Sequence, residues 1–494
     1  MNRWQRPYLI LCGAVALIAA GIAIYSQTNA YAFDEGFHLL AAQLIKRGKT
    51  PYLDFFFGQV PLNAWWNAAW MRVFPESWRT AHAVAAAEIV AAVFLAADFV
   101  FDRFRLPRWQ LPVSLAAVLL IGTNWRLVEF GPIAQAYALC LLLLVVSFRL
   151  ATRAVDRSSM LLTALAGCAV GAAAASSLLT APAAPVLLLW ILVYRRTGSR
   201  LLAAACFTGG AAVPWLPILR LFLKSPLQVR FGIFDYHFWY RQVEWANSLR
   251  HNLEMMVSWI NSTQAVILAL LAIAGLWYVA RASGWERSRR AEFYLCGWLA
   301  AALIAYLCYI RPSFVQYFSL AVPFLAIPAS VGLYAVGSRL GSVDRAWAPF
   351  GVLALLLCCG TGKYVYDDAS GDHLSKFEHV AQKVDQVTPR GGSLLADEFI
   401  YFMTRRPPPS GMEYSDSHKL RLPAALAAKL HVVPRPELVR LVKAGTYDTA
   451  ESCDDDDDEN LVQLGLPDIY AQNAEIEGCK VYWERKAGVS AQKK

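Results

Sequence analysis

An adjacent carboxylate pair, Asp34-Glu35, is the strongest chemical signal in this chain. It stands in Tyr31-Ala-Phe-Asp-Glu-Gly-Phe-His38, just beyond the first long apolar run, 8–25. An acid inside the hydrocarbon core of a bilayer costs about 2.5–3.5 kcal/mol on insertion scales. Such a pair is therefore either in water or held for chemistry. Carboxylates at a membrane surface can orient and deprotonate a hydroxyl, and they can ligate a metal ion. The same two residues also suit the start of a helix, with Asp34 as the N-cap and Glu35 near the positive helix end. Capping and catalysis are compatible, and the residue types alone leave both open.

Phosphate chemistry would need cations on the same side of the membrane. Arg311, in Tyr309-Ile-Arg-Pro-Ser-Phe-Val-Gln-Tyr-Phe318, closes an apolar run and can grip phosphate oxygens bidentately. It can equally snorkel at the interface. Arg79 and Arg126 are weaker candidates of the same kind. His38, on the face of the expected helix, suits either substrate contact or a structural place. Glu88, within an apolar run, lines a cavity or pairs with a neighbouring helix.

These residues need elements to position them, and composition says which. The chain has 494 residues, 57% hydrophobic and 17% charged, too apolar for an ordinary soluble enzyme. The apolar residues come in blocks near the length of a bilayer span. Eleven are expected to cross: 8–25, 81–101, 110–125, 132–148, 160–178, 181–194, 201–219, 263–280, 292–310, 313–337 and 346–362. Arg103, Arg105 and Arg108, then Arg149, Arg153 and Arg157, and similar clusters later, fall on one side if the spans alternate. By the positive-inside rule that side is cytoplasmic. The net charge of +9 is thus a topology signal, spread over separate loops, and argues against nucleic-acid binding. The first run reads as a retained anchor, not a cleaved signal peptide.

The expected architecture is an α-helical polytopic membrane protein, with a membrane domain over 1–362 and a small α/β extracytoplasmic domain over 363–494. The first outer loop, 26–80, predicts helices over Glu35–Lys46 and Leu62–Val73. Its Trp65, Trp66 and Trp70 favour the membrane interface, so the loop is expected to lie flat there. A second outer segment, 220–262, is similarly aromatic. In the tail, strands are expected at Ser393–Ala396, Tyr447–Ser452 and Lys480–Trp483, and a helix at Pro436–Lys443. The acidic run Asp454–Glu459 reads as a solvated loop. Cys453 and Cys479 are candidates for a disulfide in an oxidising compartment. The other eight Cys fall in apolar runs and read as small core residues.

Taken together, an Asp-Glu after the first span, Lys49-Thr-Pro-Tyr-Leu-Asp-Phe-Phe-Phe-Gly-Gln-Val-Pro-Leu62, and Arg79 opening the second span resemble the first outer loop of GT-C membrane glycosyltransferases. The group most like it holds bacterial protein mannosyltransferases, aminoarabinose transferases and rhizobial lipopolysaccharide-core transferases. The likeness runs the length of the chain and includes Pro389–Glu398 and Arg405-Arg-Pro-Pro-Pro409. It implies a sugar donor carried on a polyprenyl phosphate and an acceptor hydroxyl on a glycan, lipid or protein. Attack on the anomeric carbon inverts it. The likeness also implies Asp34 as the catalytic carboxylate with Glu35 beside it, and Asp54 as a second acidic position. Arg311, Gln316 and Tyr317 would hold phosphate. Asp54 has an alternative in capping the turn after Pro51. A divalent metal is a candidate cofactor, with Asp34 and Glu35 as its ligands. Relatives carry an Arg followed by Asp after the third span. Here Gly131-Pro-Ile-Ala-Gln135 stands instead, which departs from that pattern. The rival readings are a transporter or flippase of lipid-linked saccharides, and a non-catalytic membrane scaffold.

Overall fold

The computed structural model describes residues 5–195, 197–240, 248–282, 285–310, 312–340, 344–369, 371, 373–453 and 465–486. Arg311 and the acidic run Asp454–Glu459 lie outside the described residues.

The chain is helical for most of its length. Its helices are α1 (Gln5–Thr28), α2 (Glu35–Lys46), α3 (Leu62–Trp70), α4 (Trp78–Arg103), α5 (Gln110–Gly122), α6 (Trp125–Phe130), α7 (Tyr137–Asp156) and α8 (Met160–Ser176). Next come α9 (Ala183–Tyr194), α10 (Arg200–Ala212), α11 (Leu216–Lys224), α12 (Pro226–Arg230), α13 (Ser248–Ile260), α14 (Thr263–Arg281), α15 (Arg287–Tyr309), α16 (Val322–Leu340) and α17 (Trp347–Asp368). The tail adds α18 (Leu374–Val387), α19 (Glu398–Thr404), α20 (Ala424–Lys429), α21 (Arg435–Lys443) and α22 (Leu466–Ile469). Four strands complete it: β1 (Leu394–Leu395), β2 (Thr449–Ser452), β3 (Tyr470–Ile476) and β4 (Cys479–Arg485).

Among the described residues, eight helical segments are long and apolar enough to cross a membrane, and three shorter apolar helices fall at the remaining expected positions. Pro214 and Pro217 interrupt one span. Proline lacks an N–H and clashes with the preceding turn, so α10 passes into α11 through a 3-10 turn at Val213–Trp215. Cys358 and Cys359 are exposed on α17, which corrects the reading of all eight span cysteines as core; Cys140 and Cys296 are buried.

By contacts the chain forms two units, each drawn from separated stretches. The first comprises Met1–Ala30, Ala81–Ile218 and Trp245–Gly371. Its helices approach closely where side chains are small, as membrane packing favours. A Cβ on Gly332 would sit 1.9 Å from the Leu271 carbonyl oxygen, so α16 meets α14 backbone to backbone. Gly167 and Gly210 do the same for α8 and α10, each 2.0 Å from a carbonyl oxygen of the other helix. Two arginines inside this unit are paired with acids. Arg149 meets Asp98 at 2.6 Å, and Arg103 meets Glu292 at 2.7 Å and also Asp156.

The second unit comprises Tyr31–Thr80, Leu219–Glu244 and Asp372–Lys494. Its sheet runs β1-β2-β4-β3, with β1 and β2 parallel and the other pairs antiparallel. Glu477 and Gly478, both at positive φ, make the two-residue turn between β3 and β4 that such hairpins require. A disulfide joins Cys453 to Cys479. Strand β3 escaped the sequence reading because Ala-Gln-Asn-Ala-Glu is polar and mostly exposed, the pattern of an edge strand. One expectation changes here. Helix α2 does not lie on a lipid surface: residues 35–45 are all buried, covered by α3 and by α19 of the tail. Trp66, Val73 and Phe74, on and just after α3, remain exposed.

Candidate functional site

The start of α2 sets the position of Asp34. Two backbone bonds turn the chain into the helix: Glu35 N–H to the Ala32 carbonyl at 2.9 Å and Gly36 N–H to the Phe33 carbonyl at 3.3 Å. Asp34 occupies the N-cap position in helical conformation, and its side chain makes no capping bond to the helix. The turn is held instead by its neighbours. Tyr31 stacks on Phe377 at 5.5 Å and meets Phe399 at 5.9 Å, and those two rings lie 5.1 Å apart. Gly36 allows α19 to come close, since a Cβ there would be 3.1 Å from both the Glu398 Cβ and the Phe399 ring.

The far end of α2 is tied as firmly. Gln43, fully buried, donates through Nε2 to the Phe402 carbonyl at 3.0 Å and to Glu76 at 2.7 Å. Lys46 joins the same Glu76 carboxylate at 2.6 Å. Burial raises the Glu76 carboxyl, but the bonds from Lys46 and Gln43 outweigh it and leave it below its ordinary range. Gly48, at φ 91°, closes the helix, with Lys49 N–H on the Leu44 carbonyl. An aromatic wall covers the outer face of α2: Phe37 meets Tyr414 at 4.8 Å, and Tyr414 shares a 3.1 Å hydroxyl bond with Tyr236.

Within this frame the acidic pair divides. Asp34 is half-buried, whereas Glu35 has no exposure. Only the former is open to a group from outside the packed interior. His38, one turn on, is 3% exposed; burial pushes its imidazole down to about 3, so it is neutral near neutral pH. Among the described residues its Nδ1 has no hydrogen-bond partner. Asp54 is exposed, and its carboxylate accepts the Thr50 N–H at 2.7 Å, holding the turn around Pro51. Arg79 pairs with Glu378 at 3.0 Å and lies over the Trp78 ring at 4.2 Å.

The sequence reading overlooked the tail's contribution to this unit. Glu451 is fully buried and accepts the Asp397 N–H at 3.1 Å. Burial raises its carboxyl to about 7, and Glu398 pushes the same way. The sequence did offer a sign, since Asp397-Glu398 falls in the stretch that carries the family likeness. A metal at Asp34-Glu35 fits poorly. Among the described residues, the one group of three or more ligand-type side chains close enough to hold an ion is Glu451 with Cys453 and Cys479, whose sulfurs form the disulfide. Glu35 is also sealed in the interior.

In the first unit, Gln316 and Tyr317 lie on a 3-10 turn, Val315–Ala321, with the Tyr317 ring against Phe314 at 5.6 Å and Tyr137 at 6.1 Å. Arg126 pairs with Glu129 at 2.7 Å. Burial raises the Glu129 carboxyl, and Arg126 partly offsets it. Glu88 is buried in α4. The second unit therefore gathers Asp34, Glu35 and His38 at one helix start, with Asp54 and Arg79 elsewhere in it.

No protein-family model and no curated protein matches the chain. Solved structures do. ArnT from Cupriavidus metallidurans in the apo state is similar at a TM-score of 0.68 and 16% identity, over 97% of this chain and 98% of that one. The same protein bound to undecaprenyl phosphate matches at 0.68 over 98% and 99%. The Archaeoglobus fulgidus oligosaccharyltransferase in complex with Zn and sulfate is similar at 0.50 and 14% identity, over 89% of this chain and 67% of that one. The fold is that of the GT-C membrane glycosyltransferases.

Proposed function

We propose that this protein is a glycosyltransferase of the cytoplasmic membrane. It moves a sugar from a polyprenyl-phosphate donor to an acceptor hydroxyl on the outer face. The N-terminus lies in the cytoplasm and the tail outside, by the placement of the arginine-rich loops. The observation that carries the reading is the place of Asp34 in this fold: a half-buried carboxylate on the first turn after the first span. A relative of the same fold over nearly the whole chain holds undecaprenyl phosphate, which supports a lipid-phosphate donor here.

In this reading the acceptor hydroxyl donates its hydrogen bond to Asp34. As its oxygen attacks the anomeric carbon from the face opposite the phosphate, Asp34 takes the proton and the C–O bond to phosphate breaks. The electron pair leaves on the phosphate, and the anomeric centre inverts. General-base assistance of this kind contributes about 10²–10⁴-fold. Glu35 and His38 belong to the packed frame that fixes Asp34, and a positioned base needs such a frame. Arg311, with Gln316 and Tyr317, is proposed to hold the lipid phosphate. No step runs through a metal ion, given the poor fit at Asp34-Glu35.

Mass spectrometry of envelope glycans and glycoproteins, with and without the gene, tests the reading. Loss of one sugar increment of fixed mass is expected. An unchanged set of glycans, with lipid-linked saccharides accumulating on the cytoplasmic side, would favour translocation instead.

A further inference from the structure

A polar cavity lies in the first unit, at the ends of the spans away from the arginine-rich loops. It holds about 180 Å³ and is walled by Asn124, Trp125, Arg126, Trp259, Asn261 and Tyr364. That is the space of about six waters at ~30 Å³ each, or of one sugar ring. The floor is rigid. Gln264 donates through Nε2 to the Thr123 carbonyl at 2.9 Å and to Thr361 at 2.8 Å, and its Oε1 accepts the Trp125 N–H at 2.8 Å. One side chain thereby ties α14 to the end of α5, to α17 and to the start of α6. Trp125 stacks on Tyr364 at 5.2 Å, and Trp259 on Phe318 at the same spacing.

Asn124 is unexplained by local structure. It precedes α6 at the N-cap, where asparagine normally bonds the helix, yet it makes no capping bond. It is 6% exposed, and its Oδ1 has no hydrogen-bond partner among the described residues. Buried amides are rarely left so. The charge in the cavity is nearly balanced, because Arg126 is matched by Glu129 at 2.7 Å. A phosphate would want uncompensated cations; vicinal hydroxyls want amides, a guanidinium and aromatic faces, and those are the groups present.

We propose that this cavity is a binding subsite for one pyranose ring. The inference rests on the transferase reading only for the source of the ring, which is the sugar of the donor or of the acceptor. Binding is tested without turnover. Saturation-transfer NMR on the full-length protein in detergent would use methyl glucoside, methyl mannoside and N-acetylglucosamine as probes. At least one should bind saturably, with affinity lowered tenfold or more by Asn124→Ala. Binding should be lost in Asn261→Trp, which fills the cavity from its exposed rim, and Ser258→Trp, from an exposed residue that also lines the cavity, serves if that variant misfolds. Sugar transfer is assayed separately on the same cavity variants, so failure of transfer and failure of this inference are read apart. Displacement of the glycoside by a polyprenyl-phosphate hexose assigns the ring to the donor, and simultaneous binding assigns it to the acceptor. No glycoside binding, binding unmoved by the cavity variants, or displacement by inorganic phosphate at equal concentration would each overturn the proposal.

Discussion

A graded glycine series tests the packing that positions the candidate site. Replacing a helical glycine by alanine favours the helix by about 1 kcal/mol when the new methyl group meets nothing. Gly13 and Gly21, on α1, have nothing within 4 Å of the added Cβ. Alanine at either should leave stability unchanged or raise it by up to that amount. At Gly36 the Cβ would stand 3.1 Å from the Glu398 Cβ and the Phe399 ring. Carbon contacts prefer ~3.5–4.0 Å, so α2 or α19 must give by about half an ångström. The Phe399 ring cannot simply rotate away, because Tyr31 and Phe377 pack against it. Overpacking of this kind costs about 1–3 kcal/mol; set against the helix gain, Gly36→Ala should destabilise by about 0–2 kcal/mol. At Gly332 the new carbon would lie 1.9 Å from the Leu271 oxygen. Restoring ~3.5 Å means moving two helix backbones apart by about 1.6 Å, and no side chain can yield there. The predicted order of thermal midpoints in one detergent is Gly13→Ala at or above wild type, then Gly36→Ala, then Gly332→Ala lowest. Transfer assayed in parallel should fall in Gly36→Ala more than its midpoint suggests, because the shift sits two residues from Asp34. Gly332→Ala as stable as Gly13→Ala would refute the close helix approach. A stabilised, fully active Gly36→Ala would refute the claim that α19 positions Asp34.

Three further perturbations follow from the geometry. Removing the Cys453–Cys479 disulfide, which closes a loop with a sequence separation of 26, should lower the stability of the tail by about 3 kcal/mol; Cys453→Ser with Cys479→Ser, or reductant, should show it in denaturant titrations. Burial raises the Glu413 carboxyl to about 7. Its penalty on folding is absent below its ordinary pKa near 4.5, grows as pH rises, and is complete above 7. Glu413→Gln should therefore nearly match wild type at pH 4 and exceed it by about 3 kcal/mol at pH 8, by unfolding at both pH values. Asp98→Ala leaves Arg149 buried without its carboxylate and should cost about 3 kcal/mol or more, most of it recovered in the double variant with Arg149→Met.

Much of the fold was legible because bilayer spans announce themselves by length and composition. All eleven apolar runs became helices near their expected places, and the prolines marked where one of them breaks. The strands at 394, 449 and 479 were legible as short strand-like segments between turn signals. The edge strand β3, polar on its exposed face, was not. Contacts distant in sequence were hidden as well. Nothing near residue 43 says that Gln43 will bond a carbonyl at residue 402, so the burial of α2 by the tail could not be read from its amphipathic pattern. The candidate site was legible as Asp34-Glu35, but its division into a half-buried and a sealed carboxylate was not. Both residues are polar and adjacent in sequence, and the packing that separates their surroundings brings in residues distant in the chain. The neutral state of His38 follows from the same enclosure. Cap and base remained open in the sequence; the structure shows Asp34 at the cap position without a capping bond.

That last feature makes one substitution especially clean. Asparagine caps helices as well as aspartate does, and Asp34 makes no side-chain capping bond to lose, so Asp34→Asn should keep its thermal midpoint and its affinity for the lipid donor. Sugar transfer by the purified variant in proteoliposomes, from a polyprenyl-phosphate-linked donor, should fall by about 10²–10⁴-fold. Transfer near the wild-type rate would contradict the assignment of Asp34 as the catalytic base.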